Sequence, residues 1–278
     1  MSDIKQIPVV LTIAGSDSGG GAGIQADLRT FNEFDVYGCS VVTAVTSQNP
    51  NAVHRIDVLD VGAVKCQLET VSEAMPIHFA KTGMLAAQKI VECVAEFSAE
   101  HKLSLVVDPV MVSTSGVKLL EDSAIHSMKA SLFPLADWLT PNIPEAELIC
   151  NRKIKTVSDI ADAATMLYNL YQCNVILKSG HFADVKTATD IICCKGKLFK
   201  LSSPRVAVDE NTAHGTGCTF SSALVANLAL GESWERSVTA AKAFVYGSLT
   251  EKMFLQENLF QMYPPKKSYL EKISLTEF

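Results

Sequence analysis

Residues Leu11 to Leu28 read LTIAGSDSGGGAGIQADL, and this stretch decides the fold. An apolar run ends at Gly15. A loop follows with Gly19, Gly20, Gly21 and Gly23, and a helix-like segment begins after it. Strand, glycine loop and helix in that order can cradle a phosphate on backbone N–H groups. The details exclude the two commonest versions. Gly15-x-x-x-x-Gly20 is followed by Gly21, without the Lys that a P-loop requires. Gly19-x-Gly21 is followed, after two intervening residues, by Ile24, which breaks the dinucleotide pattern G-x-G-x-x-G. A turn needs one residue with positive φ, so three successive glycines point to close backbone approach to a ligand. A tight strand-to-helix turn is the plainer alternative. Asp27 falls in the first turns of the helix, where its carboxylate can reach back to the loop.

The same alternation continues outward. Val9–Ala14, Ser40–Thr46, His78–Thr82, Leu103–Val107 and Asn174–Leu177 are short, nearly continuous apolar runs. Such runs suit strands buried on both faces of a parallel sheet. Ile191–Cys194 and Leu198–Leu201 form a further pair joined at Lys195-Gly196-Lys197. Between the strands, Val61, Val64, Leu68, Val71 and Met75 make one helical stripe, as do Val157, Ile160, Ala164, Leu167 and Tyr171. Thr156 and Asp159 have capping-box spacing. Alternating strands and helices predict a doubly wound α/β sheet. With no linker-like run or repeat, residues 1–278 are expected to form one domain.

Bulk properties narrow the function. Hydrophobic residues make up 48% of the chain, enough for a large core, and charged residues 19%. The net charge of −6 argues against general nucleic-acid binding, which depends on Lys and Arg. No run of 18 apolar residues marks a membrane span. The N-terminus enters strand-like sequence at once and lacks a signal-peptide layout. The eight cysteines include no CxxC pair, and most sit in apolar surroundings. These features predict a reduced, cytoplasmic protein without a disulfide framework.

In doubly wound sheets, ligands bind at the carboxyl ends of the strands. Gln48 follows the second strand and offers donor and acceptor to a heteroaromatic edge; an ordinary polar loop residue is the alternative. Met84 follows the third, as ligand contact or core. Asp108, before Pro109 and Val110, is a metal-facing carboxylate or a turn residue. In TPNIPEAELI, Asn142 and Glu145 face one site or serve a helix start. Lys178 ends a strand as a compact charge for phosphate, or as a solvated lysine. The strongest feature is AHGTGCTFSSALVANLAL, from Ala213 to Leu230. Gly215, Thr216 and Gly217 open a small-residue, apolar helix. Its free N–H groups and dipole form an anion site. Cys218 sits at that N-terminus, where the dipole is expected to favour a thiolate able to take a hydroxyl proton.

Taken together, AGSDSGGGAGIQADLRTF, YGCSVVTAVTSQN, KTGML, DPVM, TPNIPEAELI, LKSGH and HGTGCTFSSAL occur in this order over roughly residues 9–245. The chain closely resembles the hydroxymethylpyrimidine/phosphomethylpyrimidine kinases of thiamine biosynthesis, in the ribokinase-like superfamily. The resemblance implies a three-layer α/β/α sandwich with a mostly parallel central sheet, usually a homodimer. It implies phosphorylation of 4-amino-5-hydroxymethyl-2-methylpyrimidine by Mg-ATP, then of the monophosphate. It places Gly15, Ala22 and Asp27 in the substrate site. Gln48 pairs with the pyrimidine's nitrogen edge, and Met84 and Val110 pack on the ring. Asp108 and Glu145 lie near Mg2+ and the phosphates. Asn142 and Lys178 face the nucleotide phosphates, and Lys242 reaches the nucleotide end. Gly215, Thr216, Gly217 and Cys218 form the anion hole, with Cys218 as base and Lys178 beside it. One departure is Ala213, where the family commonly has Thr.

Three other readings compete. Related kinases with a Gly-Thr-Gly-Cys loop phosphorylate pyridoxal, also a hydroxymethyl heterocycle; Gln48 and the GML context lean toward the pyrimidine. A non-catalytic binding protein would not need Asp108, Glu145, Lys178 and Cys218 together. A nicotinamide oxidoreductase is disfavoured by the imperfect glycine spacing.

Overall fold

The computed structural model describes residues 6–111, 120–180, 186–209, 211–257 and 259–278. Strand β1 (Val9–Asp17) leads through the glycine loop into α1 (Gly23–Glu33). β2 (Tyr37–Asn49) turns back as β3 (Ala52–Val58). Next come α2 (Val61–Ala74), β4 (Ile77–Thr82), α3 (Gln88–Glu100) and β5 (Ser104–Val107). They are followed by α4 (Asp122–Ser127), β6 (Trp138–Leu139), α5 (Ile143–Cys150), α6 (Val157–Tyr171) and β7 (Asn174–Leu177). β8 (Thr187–Cys194), β9 (Lys197–Pro204), α7 (Thr216–Ala229) and α8 (Trp234–Thr250) continue the chain. β10 (Met253–Gln256), β11 (Leu259–Gln261) and β12 (Ser274–Glu277) end it.

The main sheet has the order β12-β9-β8-β7-β6-β5-β4-β1-β2-β3. From β7 across to β2 every pairing is parallel. The five apolar runs expected to be parallel strands all lie in this block, because both faces there are covered. One core packs α2 to α6 on one face of the sheet, and a second packs α1, α7 and α8 on the other. This is the expected three-layer α/β/α sandwich. The flanking strands β3, β8, β9 and β12 are antiparallel. The β8–β9 turn falls at Lys195 and Gly196, both with positive φ. The capping box at Thr156 and Asp159 is present in both halves. The cysteines are all free thiols. Among the described residues, no helix is long and apolar enough to cross a membrane.

β1 is bonded to β2 on one side and β4 on the other. The winding direction reverses between β1 and β4, so the loops after them diverge and leave a crevice. The tail, which carries no readable motif, folds back on α8. A Cβ on Gly247 would lie 2.6 Å from Tyr269 and 2.8 Å from Pro265, and the Tyr269 hydroxyl donates to Glu251 at 2.9 Å.

Candidate active site

The crevice at the switch point has an apolar wall. Ala44, Met84 and Ala86 are buried in a small cluster, with Ile56 and Val110 packed against it. This cluster is separate from both cores. Gly15 borders it, since a Cβ there would come within 2.5 Å of the Met84 methyl. Gly15, Met84 and Val110 therefore share one surface.

The rest of the glycine loop is shaped largely by protein contacts. A Cβ on Gly23 would lie 2.4 Å from the Gly15 carbonyl oxygen, and Gly23 has φ +56. A Cβ on Gly21 would lie 2.7 Å from the His214 ring. Gly215, at φ +85, rests so closely on Gly21 that an added Cβ would stand 1.9 Å from its carbonyl oxygen. The opening loop and the Gly-Thr-Gly-Cys loop thus touch backbone to backbone. Asp17 ties them further. Its carboxylate accepts the amides of Gly19 and Ala22, each at 2.8 Å, and lies 3.1 Å from His214 Nε2. Gln48, at the end of β2, sits 2.9 Å from the same ring nitrogen. Ala22 therefore contributes its backbone to the loop that borders the pocket. Sequence reasoning passed over Asp17 and His214, although both lie inside quoted motifs.

Across the crevice stands a charged cluster built from the ends of three parallel strands. Asp108 follows β5, Asn142 follows β6 and Lys178 follows β7. Lys178 Nζ donates to Asp108 Oδ1 at 2.8 Å, with Thr140 Oγ1 on the same oxygen at 3.2 Å. Asn142 caps α5 and Glu145 returns the bond, so both residues are locked in one capping box. Burial pushes the Glu145 carboxyl up to about 7; Asp108 adds to this, and Lys178 opposes it. Burial works against the Lys178 ammonium, but Asp108 and Glu145 outweigh it and hold its pKa above the usual value.

Helix α7 points its N-terminus at this cluster. A Cβ on Gly217 would stand 3.1 Å from Lys178 Nζ and 3.6 Å from Asp108 Oδ2. No side chain caps that end; the Thr216 amide donates to the Ala213 carbonyl at 3.3 Å, and the next two, of Gly217 and Cys218, are left to bind an anion. Gly215, Thr216, Gly217 and Cys218 are thus brought opposite Lys178, Asp108 and Glu145. His181, in the quoted LKSGH motif, lies outside the described residues.

Three expectations change. Asp27 does not open onto the pocket. It is fully buried, and its oxygens are taken by Lys81 at 2.8 and 2.9 Å, Ser222 at 2.7 Å and Thr12 at 2.6 Å. A carboxylate on the inward face of α1 must be neutralised there, and Lys81 of β4 does it. Lys242 is likewise held, by Asp190 at 2.6 Å, while Asp190 also accepts the Ser179 amide at 3.0 Å. It supports the turn after β7 from beneath and does not project toward a nucleotide. Third, the Cys218 thiol is not a ready thiolate. Burial pushes it up to about 11; Lys81 pulls against this while Asp27 and Asp108 reinforce it, and the Gly23 amide donates to the sulfur.

Among the described residues, no group of three or more His, Cys, Asp or Glu side chains could cage a metal ion. Asp108 and Glu145 still suit Mg2+, which takes one or two carboxylates and completes its shell with water and substrate phosphates.

An apolar cluster at Met84 and Val110, joined through the touching glycine loops to an anion cradle with a lysine and two carboxylates, equips the crevice for phosphoryl transfer. On this sheet, that arrangement defines a ribokinase-like small-molecule kinase. The chain belongs to the phosphomethylpyrimidine kinase family, which it matches over residues 17–262. A hydroxymethylpyrimidine/phosphomethylpyrimidine kinase from Haemophilus influenzae is 43% identical over 254 residues, 90% of this chain and 93% of that one. The phosphomethylpyrimidine kinase of Clostridium difficile 630 superposes with a TM-score of 0.75 at 38% identity, over 87% of this chain and 98% of that one. The pyridoxal kinase of Staphylococcus aureus, in complex with AMP-PCP and pyridoxal, superposes with a TM-score of 0.86 at 31% identity, over 99% of this chain and all of that one.

Proposed function

We propose that this protein transfers the γ-phosphoryl group of ATP to 4-amino-5-hydroxymethyl-2-methylpyrimidine, and then phosphorylates the monophosphate to the pyrophosphate. The carrying observation is the contact between Gly21 and Gly215, which joins the acceptor pocket directly to the anion cradle. In this reading, Gly15, Ala22, Met84 and Val110 surround the ring and Gln48 reads its edge. Lys178 and Asn142 meet the nucleotide phosphates. Asp108 and Glu145 hold Mg2+, which supplies charge neutralisation at the phosphates. Phosphoryl transfer passes through a loose transition state, so positioning and electrostatic stabilisation dominate. The free amides of Gly217 and Cys218, at the Gly215–Thr216 turn, face the oxygens on which charge develops. The thiolate form of Cys218, a minor fraction at neutral pH, accepts the hydroxyl proton late in the transfer and becomes the thiol. Its thiol, though raised, stays far more acidic than an alcohol, and Lys81 beneath it stabilises the thiolate.

The same reading takes residues 1–278 as one kinase domain, supported by β12 joining the sheet that begins with β1. It takes the protein to be cytoplasmic and a homodimer, as the sequence resemblance implies.

The decisive assay follows ADP release from Mg-ATP with the hydroxymethylpyrimidine, its monophosphate and pyridoxal supplied separately. Turnover of both pyrimidines is the expected result. Pyridoxal is the second acceptor to try, because the S. aureus pyridoxal kinase matches 99% of this chain. Turnover of pyridoxal alone would overturn the pyrimidine assignment.

A further inference from the structure

His214 stands where the two loops meet, and its ring nitrogen serves two partners. Nε2 is 3.1 Å from Asp17 Oδ2 and 2.9 Å from Gln48 Nε2. The ring is seated against bare backbone at Gly21, where any side chain would displace it. Asp17 is almost completely buried. Burial by itself would raise its carboxyl, but the bonds from His214, Ala22 and Gly19 outweigh burial and hold it below the usual range. An ionised carboxylate only accepts hydrogen bonds. The proton between Asp17 and His214 must therefore sit on Nε2, whether the imidazole is neutral or charged. With an unprotonated Nε2, two lone pairs would face each other in a buried site.

That proton dictates how Gln48 presents itself. The amide has an accepting oxygen at one end and a donating NH2 at the other. Facing an N–H, the NH2 end would oppose donor to donor, so the hydrogen-bond network favours the amide with its two ends exchanged and Oε1 on the imidazole. The NH2 group then turns into the pocket.

We propose that the Asp17–His214 pair is a specificity-determining relay that fixes Gln48 as a hydrogen-bond donor, so that the pocket selects rings offering an unprotonated nitrogen at that edge. This rests on the reading of Gln48 as the ring-reading residue of the kinase. The relay also runs through His214, the residue before Gly215, so ring recognition and the anion cradle share a single support. A buried donor left without an acceptor discriminates strongly against the analogue that lacks one.

The test compares the hydroxymethylpyrimidine with its two mono-deaza analogues, each with one ring nitrogen replaced by C–H. In the wild type, kcat/KM should fall by about tenfold or more for one of them, as expected for one lost hydrogen bond. In Asp17→Asn and in His214→Gln the Gln48 amide is freed to turn, and that ratio should shrink below about threefold. Gly21→Ala, which moves the ring without removing it, should do the same. Binding of AMP-PCP to each variant reports that the fold is intact. Variants that lose turnover on all three rings equally, keeping the wild-type ratio, would reduce the pair to a structural brace and overturn the relay. A wild type that phosphorylates none of the three rings would instead overturn the kinase assignment, and the relay with it.

Discussion

At Cys218, two forces compete, and the structure reports which wins. The helix dipole and the Lys81 ammonium favour the thiolate. Burial disfavours it more, and the thiol is pushed up to about 11. A group that works deprotonated with so high a pKa gives a rate that climbs with pH through the neutral range. The wild-type kcat should rise steadily from pH 7 to 9. Cys218→Ala should lower kcat by about 10²-fold or more and flatten that slope, with ATP binding nearly unchanged. Turnover within a few-fold of wild type would remove Cys218 as the proton acceptor. Glu145 shows the converse case of a raised carboxyl. Its pKa moves from 4.5 unfolded to about 7 folded, chiefly by burial. The fold favours the protonated form, so its contribution is complete below pH 4.5 and is lost as pH rises through about 7. Glu145→Gln keeps a side chain able to complete the capping box. The variant should match wild type in denaturant unfolding at pH 5 and exceed it by up to about 3 kcal/mol at pH 8.5. An equal difference at both values would show that ionisation is not what burial opposes.

At the scale of elements, function depends on how two helix entries meet. α1 begins at Gly23 and α7 directly after Gly215, both glycines at positive φ. Each glycine lies against the carbonyl of another glycine in the same junction, Gly15 and Gly21 respectively. Positive φ alone disfavours a side chain, and here an added methyl would also separate the loops. Gly215→Ala should destabilise the protein by about 2 kcal/mol or more. It should also lower kcat by at least about 10²-fold as the cradle amides lose their aim. The check is thermal unfolding alongside steady-state kinetics. Unchanged kcat in a folded variant would show that the cradle does not need the Gly21 contact.

At the scale of the whole molecule, a fully buried ion pair connects the sheet to its helical layer. Asp27 comes from α1, Lys81 from β4, Thr12 from β1 and Ser222 from α7. Lys81 and Asp27 side chains are both fully buried, 2.8 Å apart. Removing one partner leaves an uncompensated charge in the interior, whereas removing both does not. Lys81→Met should cost about 3–5 kcal/mol in urea unfolding, and the double variant with Asp27→Asn should recover a large part of it. Equal stability of the single and double variants would argue that the pair contributes packing only.

The parallel core was legible from local sequence, because strands covered on both faces must be apolar along their whole length. The capping box at Thr156 and the helix start at Asn142 were legible for the same local reason. The strands that escaped notice lack that signature. β3 is a mostly exposed edge, β6 has two residues, and β12 pairs with β9 from seventy residues away. The site divided in the same manner. Residues directly after parallel strands, such as Asp108 and Lys178, announce their place, since topology sends every such strand end to one crevice. Glycines, by contrast, say only that space is needed and not who takes it. In this stretch, LTIAGSDSGGGAGIQADL, much of that space belongs to His214 and Gly215, some two hundred residues on. The sequence by itself determined the layered fold, the family and the crevice. Only the tertiary structure decided that Asp27 and Lys242 are buried braces, that Cys218 is held as a thiol, and that Asp17 faces His214. Charge state and partnership depend on burial and on distant neighbours, and neither is written in local order.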